Sequence, residues 1–180
     1  MNLFLIGYRC TGKTTVAKSL AANLDWSFVD ADTMLVTKCG QQIEDIVDTE
    51  GWEAFRRRER STLRQICKKK QQVVATGGGV VLDADNVKAM RASGIVIGLG
   101  ATAETIRQRM LQDEKTRAFR PALTDKGPLA EIEDILKARG PYYERASDFF
   151  IHTDEVPVDE ITQKIIELLN ERSATSFKGE

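Results

Sequence analysis

Cysteine is scarce in this chain. Cys10, Cys39 and Cys67 are its only three in 180 residues, an odd number, scattered and without a C-x-x-C pair. That excludes a disulfide framework and a structural zinc site, and points to a reducing compartment. Histidine is scarcer still. His152 stands alone, at the end of a predicted strand, and reads as a surface residue rather than a catalytic one. Neither sign of charge dominates: 26 Lys and Arg against 27 Asp and Glu leave −1, so bulk electrostatics favour neither nucleic acid nor a membrane as partner. No apolar run is long enough to span a bilayer, and the first one stops at Gly7 with no basic segment before it. Repeats and low-complexity tracts are missing as well. A single-domain cytoplasmic enzyme is the expectation.

What is present begins at once. Leu3-Phe4-Leu5-Ile6 reads as a buried strand, and it runs into Gly7-Tyr8-Arg9-Cys10-Thr11-Gly12-Lys13-Thr14, which fits G-x-x-x-x-G-K-[ST]. Val16, Leu20, Ala21 and Leu24 then recur at helical spacing. Strand, glycine loop and helix form the context that a phosphate-binding loop requires. The loop's N–H groups make an anion nest, and the helix presents its positive end. Lys13 adds a mobile cation for the β- and γ-phosphates, and the Thr14 hydroxyl is placed to ligate Mg²⁺. Gly7 and Gly12 permit backbone approaches that a Cβ would obstruct.

Short apolar segments at 3–6, 27–29, 73–76, 95–99 and 148–152 alternate with amphipathic stretches at 13–23, 42–48, 51–69, 84–92, 102–113, 128–145 and 157–171. The alternation predicts an α/β fold, a parallel sheet flanked by helices. Trp52, Phe55, Leu63 and Ile66 share one helical face, as do Val158, Ile161, Ile165 and Leu169, and both stripes read as core. The polar end, 173–180, is expected to fray.

In such sheets ligands sit beyond the carboxyl ends of the strands. The P-loop follows the first strand, Asp30-Ala31-Asp32 the second, and Gly77-Gly78-Gly79 the third, so all three converge on one edge. One aspartate can hold Mg²⁺ and the other can orient and deprotonate a hydroxyl. The plainer reading is that Asp32 only caps a helix. The three glycines favour close backbone approach to a small ligand over a bare turn.

Arg56 follows a core-facing Phe55 and is placed to lean over the site, whereas Arg57 and Arg58 read as solvated. Residues 112–127 are charged and lack apolar periodicity, as a lid does, and Arg120-Pro121 lies within them. Arg139 precedes Gly140-Pro141 and suits a bidentate grip on a carboxylate.

Taken in order, GYRCTGKTT, FVDAD at 28–32, FRRRE at 55–59, TGGG at 76–79, RP at 120–121 and ARGPYY at 138–143 resemble shikimate kinase, of the nucleoside-monophosphate-kinase-like P-loop group. The match runs over nearly the whole chain, and the order and spacing of the pieces carry it. The resemblance implies a five-stranded parallel sheet of order 2-3-1-4-5 in one domain, 1–172, with a shikimate-binding subdomain at 31–60, a lid at 112–127 and a flexible tail at 173–180. It implies ATP as co-substrate, held by Arg9, Cys10, Thr11, Gly12, Lys13, Thr14 and Thr15, with Arg109 and Arg120 beside it and adenine near 154–157. Mg²⁺ would lie on Thr14 and, through water, on Asp30. Asp32, Arg56, Glu59, Gly77, Gly78, Gly79 and Arg139 would form the shikimate site, Glu59 orienting Arg56. Lys13, Asp32 and Arg120 would be the catalytic residues. Shikimate and ATP are the expected partners of a monomer, with no nucleic acid and no membrane.

One departure stands out: the family usually has glycine where this chain has Cys10. A thiol beside the phosphates predicts altered loop geometry and sensitivity to oxidation. Two rivals remain, a gluconate-kinase-like enzyme of the same fold and a non-catalytic nucleotide-binding module. The paired aspartates, triple glycine and two arginines favour shikimate over the first. Retention of every expected catalytic residue argues against the second.

Overall fold

The computed structural model describes residues 1–112, 123–124, 127 and 129–176. Most of the expected lid, Arg120 and Pro121 included, and residues 177–180 lie outside the described residues. The elements in chain order are β1 (Asn2–Ile6), α1 (Lys13–Leu24), β2 (Ser27–Asp30), α2 (Ala31–Cys39), α3 (Ile43–Ile66), β3 (Gln72–Ala75), a 3₁₀ turn (Val80–Leu82), α4 (Ala84–Ser93), β4 (Gly94–Gly100), α5 (Ala103–Gln112), α6 (Ile132–Ala146), β5 (Phe149–His152) and α7 (Val158–Ser176).

The five strands pair in the order β2-β3-β1-β4-β5, all parallel, with Leu5 of the central strand opposite Ala75 on one side and Ile97 on the other. This is the expected order. Strand periodicity explains how the sheet is covered. Phe4 and Ile6 face one way, packing with Leu63, Ile66, Met90, Ile106 and Tyr143. Leu3 and Leu5 face the other, packing with Val16, Leu20, Ile161 and Ile165. β1, the central strand, is buried on both faces, as a continuous apolar run in a doubly covered parallel sheet should be. Each such side chain contributes roughly 1.5–3 kcal/mol on leaving water.

A third, smaller cluster of Leu35, Ile46 and Phe55 ties α2 to α3. It lies within the 31–60 segment and gives that segment a nucleus of its own.

Three features differ from the sequence expectations. Helix α2 was not foreseen: Leu35 is its one fully buried residue, so it carries no apolar stripe. Its cap is Asp30, whose Oδ1 accepts from Thr33 N at 3.0 Å, and Asp32 sits in its first turn, so the capping role falls to the other aspartate. The two helices expected at 42–48 and 51–69 run on as α3, broken at Gly51, whose φ of 81° and ψ of 169° lie outside the helical region and belong to a conformation that is essentially glycine's alone. The last helix, expected at 157–171, continues as α7 to Ser176.

Candidate active site

The P-loop joins β1 to α1 and is held open by its own side chains. Lys13 is buried, and its Nζ donates to the Tyr8 carbonyl at 2.6 Å. Thr11 Oγ1 donates to the same carbonyl at 2.9 Å. Cys10 has a φ of 60°, the left-handed region that disfavours any Cβ. That gives a physical reason for the glycine that the resemblance leads one to expect there. The Cys10 carbonyl accepts from Arg109 Nη1 at 3.2 Å, and the same guanidinium donates to Thr153 Oγ1 at 3.0 Å and Thr153 O at 2.6 Å. Thr153 Oγ1 in turn lies 3.2 Å from Thr11 O. Arg109 and the buried Thr153 therefore fasten the turn after β5 to the P-loop. Thr153 was not foreseen, since only the fold brings residue 153 beside residue 11.

The second strand end reaches the same place. Thr14 Oγ1 lies 3.4 Å from Asp30 Oδ2, so a hydroxyl and a carboxylate oxygen stand side by side at the start of α1. Asp32 faces the third strand end instead. A Cβ added at Gly77 would stand 2.8 Å from Asp32 Oδ1 and 3.1 Å from Glu59 Oε1, closer than side chains tolerate. At Gly79 an added Cβ would run into the Arg56 guanidinium, with Cζ 2.5 Å away. At Gly77 and Gly79, then, any Cβ would displace the Asp32 or Arg56 side chain that packs there.

Tyr8, Arg9, Asp32, Ile43, Phe55 and Arg56 are among the residues that line an open cavity beside the P-loop. Trp52, Glu59, the three glycines, Leu123 and Arg139 complete its wall. Trp52, read as core, stands on this wall instead and is 36% exposed, with the Arg56 guanidinium 5.5 Å from its ring centre. The helical spacing was right about its face and silent about what covers it. Arg56 Nη1 donates to Glu59 Oε2 at 2.7 Å, and Glu59 Oε1, buried, has no hydrogen-bond partner among the described residues. Burial raises the Glu59 carboxyl above the ordinary glutamate range, and the Arg56 charge only partly offsets this. Arg139 Nη1 lies 3.5 Å from the Gly78 carbonyl. Tyr143, also unforeseen, donates to that carbonyl at 2.5 Å. Burial pushes its phenol up to about 12, so it stays a neutral donor at physiological pH. Of the arginines expected to be solvated, Arg57 is, at 64% side-chain exposure, while Arg58 is half-buried against Glu50 at 2.7 Å.

The Arg9 side chain forms an ion pair with Glu131, Nη2 to Oε1, at 3.3 Å. His152 is exposed at the end of β5, packed edge-on against Phe150. No helix among the described residues is long and apolar enough to cross a membrane.

A P-loop at the carboxyl edge of a 2-3-1-4-5 sheet, beside a cavity lined by two carboxylates and three guanidinium groups, defines a P-loop kinase acting on a small anionic acceptor. Comparison with known proteins narrows the class. The sequence profile described as "Shikimate kinase" matches residues 9–170. The shikimate kinase of Nitratidesulfovibrio vulgaris is 38% identical over 168 residues, covering 93% of this chain and 95% of that one. The solved structure of the Acinetobacter baumannii shikimate kinase in complex with shikimate superposes with a TM-score of 0.87 at 34% identity, covering 95% of this chain and 93% of that one. That of Bacteroides thetaiotaomicron gives 0.85 at 25% identity, covering 94% and 98%. The chain belongs to the shikimate kinase family.

Proposed function

We propose that this chain transfers the γ-phosphoryl group of ATP to the 3-hydroxyl of shikimate, giving shikimate 3-phosphate and ADP, a step of chorismate and aromatic amino acid biosynthesis. The observation that carries this is the acceptor cavity: Asp32, Arg56 and Arg139 line it together around the Gly77–Gly79 turn, next to the P-loop. Arg56 and Arg139 hold the acceptor's carboxylate by charge-assisted hydrogen bonds, with Glu59 aiming Arg56. Asp32 accepts the proton of the attacking hydroxyl. Lys13 and the loop amides hold the polyphosphate, so donor and acceptor meet in line with little covalent chemistry asked of the protein. Tyr143 and Arg139 fix the Gly78 carbonyl, and so the backbone on which the acceptor rests.

Thr14 and Asp30 fit Mg²⁺: two hard oxygens lie 3.4 Å apart, and no larger group of ligating side chains exists among the described residues. That suits an ion that keeps much of its shell from water and substrate phosphates. When bound, the ion neutralises developing phosphate charge. Asp30 reaches this place because it also caps α2. Arg120, from the lid, is the expected further cation over the phosphates, and Arg109 with the turn at 154–157 the expected adenine side. The family assignment and the Leu35–Ile46–Phe55 nucleus support one domain, 1–172, with an acceptor-binding subdomain at 31–60. A cytoplasmic monomer completes the reading, supported by the reduced-type cysteine pattern and the lack of any exposed apolar stripe in the sequence.

The test is ADP release, coupled to a nucleotide readout, with and without shikimate, alongside gluconate and other hydroxy acids. Shikimate-dependent release is expected in the wild type, with near-complete loss in Asp32→Asn. Release driven by gluconate instead would transfer the chain to the rival acceptor class, and nucleotide binding without release would make it a sensing module.

A further inference from the structure

The roles above leave one buried carboxylate unused. Glu131, just before α6, is wholly buried. Its Oε2 accepts from Leu123 N and Thr124 N, both at 2.8 Å, and from Thr124 Oγ1 at 3.2 Å. Its Oε1 faces Arg9 Nη2 at 3.3 Å, on a side chain only 6% exposed. Arg9 belongs to the P-loop. Both Arg9 and Leu123 line the acceptor cavity, where Arg56 and Arg139 stand as well. One carboxylate thus ties the phosphate loop to the opposite wall of the acceptor site.

A buried ion pair is poor stabilisation compared with packed apolar groups, and its best-attested use is to specify one arrangement. Here the arrangement is electrostatic as well as steric. Three arginines line one small cavity, and the acceptor offers one carboxylate. Glu131 neutralises Arg9, leaving Arg56 and Arg139 as the cations that recognise it. Without that charge, Arg9 is held less firmly and competes for the same carboxylate, drawing the hydroxyl out of line with Asp32.

We propose that Glu131 is a positioning residue for acceptor recognition, holding Arg9 out of the carboxylate grip while fixing the Leu123–Thr124 wall. The inference rests on the shikimate kinase reading above. The test compares wild type, Glu131→Gln and the double variant Arg9→Met/Glu131→Gln. The readouts are KM for shikimate and kcat from ADP release, and ADP affinity by calorimetry without shikimate. Glu131→Gln keeps shape and an acceptor oxygen but loses the charge. Its shikimate KM is expected to rise about tenfold or more, the scale of one charge-assisted hydrogen bond, with kcat lowered and ADP affinity within about twofold of wild type. Removing Arg9 as well should restore most of the KM, which a merely structural role for Glu131 would not do. An unchanged KM in Glu131→Gln, or a double variant no better than the single one, overturns the proposal. If Gln at 131 prevents folding, Glu131→Asp, which keeps the charge but shortens its reach, must show the same selective rise in KM, and its failure to do so is equally fatal. A wild type that releases no ADP with shikimate would sink the functional reading itself, whereas an active wild type with indifferent variants sinks only this inference.

Discussion

Alanine at Gly79 separates the acceptor grip from the rest of the enzyme. The backbone there, with φ of −103° and ψ of 0°, is open to alanine, so the substitution places a methyl group without strain. That methyl would stand 2.5 Å from Arg56 Cζ, about 1 Å inside the distance at which carbon atoms meet comfortably. The flexible arginine must yield. A shift of that size takes its guanidinium out of the 2.7 Å bond to Glu59 and out of register with a bound carboxylate. Losing a hydrogen bond to a charged group costs about 1.5–3 kcal/mol, or roughly a 10- to 150-fold rise in shikimate KM. Stability should fall modestly. The lower unfolded-state entropy of alanine gains about 0.4–1 kcal/mol, against the loss of the mostly buried Arg56–Glu59 pair, a charged hydrogen bond of about 1.5–3 kcal/mol, so Tm drops by a few degrees. The assay is ADP release against shikimate concentration, with a thermal melt beside it, and Arg56→Ala alone and combined. Because both changes act through one guanidinium, the double variant should be no worse than Arg56→Ala. An unchanged KM at a wild-type Tm would refute the reasoning, as would a fully additive double variant.

Two further outcomes are expected. Cys10→Gly should leave Tm within about 3 °C of wild type, because roughly 1 kcal/mol released from the left-handed position is largely offset by the glycine's greater unfolded-state entropy, and it should retain activity under mild oxidant better than wild type. Equal losses would clear Cys10 as the sensitive site. Glu59→Gln should raise the shikimate KM and yet be the more stable protein at neutral pH. The raised Glu59 carboxyl gives wild type a stability contribution that is complete below the unfolded glutamate value and lost as pH rises through the folded one. Melts from acid to neutral pH should therefore show the variant's advantage shrinking as the pH falls, and a constant gap would contradict it.

The sheet was legible because apolar runs bounded by glycine and aspartate leave little choice of element, and parallel strands send their carboxyl ends to one edge. That put Lys13, Asp30, Asp32 and the glycine turn together before any coordinates. Helix α2 was hidden because only Leu35 is buried, and its one start signal, Asp30, was already assigned to metal. Trp52 was misplaced because periodicity identifies a face and not its neighbour. Tyr143 could have been found: it lies four residues after Arg139, on the same helical face. Glu131 and Thr153 could not, since their partners Arg9 and Thr11 meet them only through the strand order.

The break at Gly51 divides the acceptor rim between two rods. Ile43 rides on the first, and Trp52, Phe55, Arg56 and Glu59 ride on the second. Every charged residue that α3 brings to the cavity wall therefore belongs to one half, and the other brings only an aliphatic surface. Changes in the first half can resize the chamber for a bulkier or slimmer molecule while its affinity for an acid is left as it was, so selection can tune girth and charge preference independently.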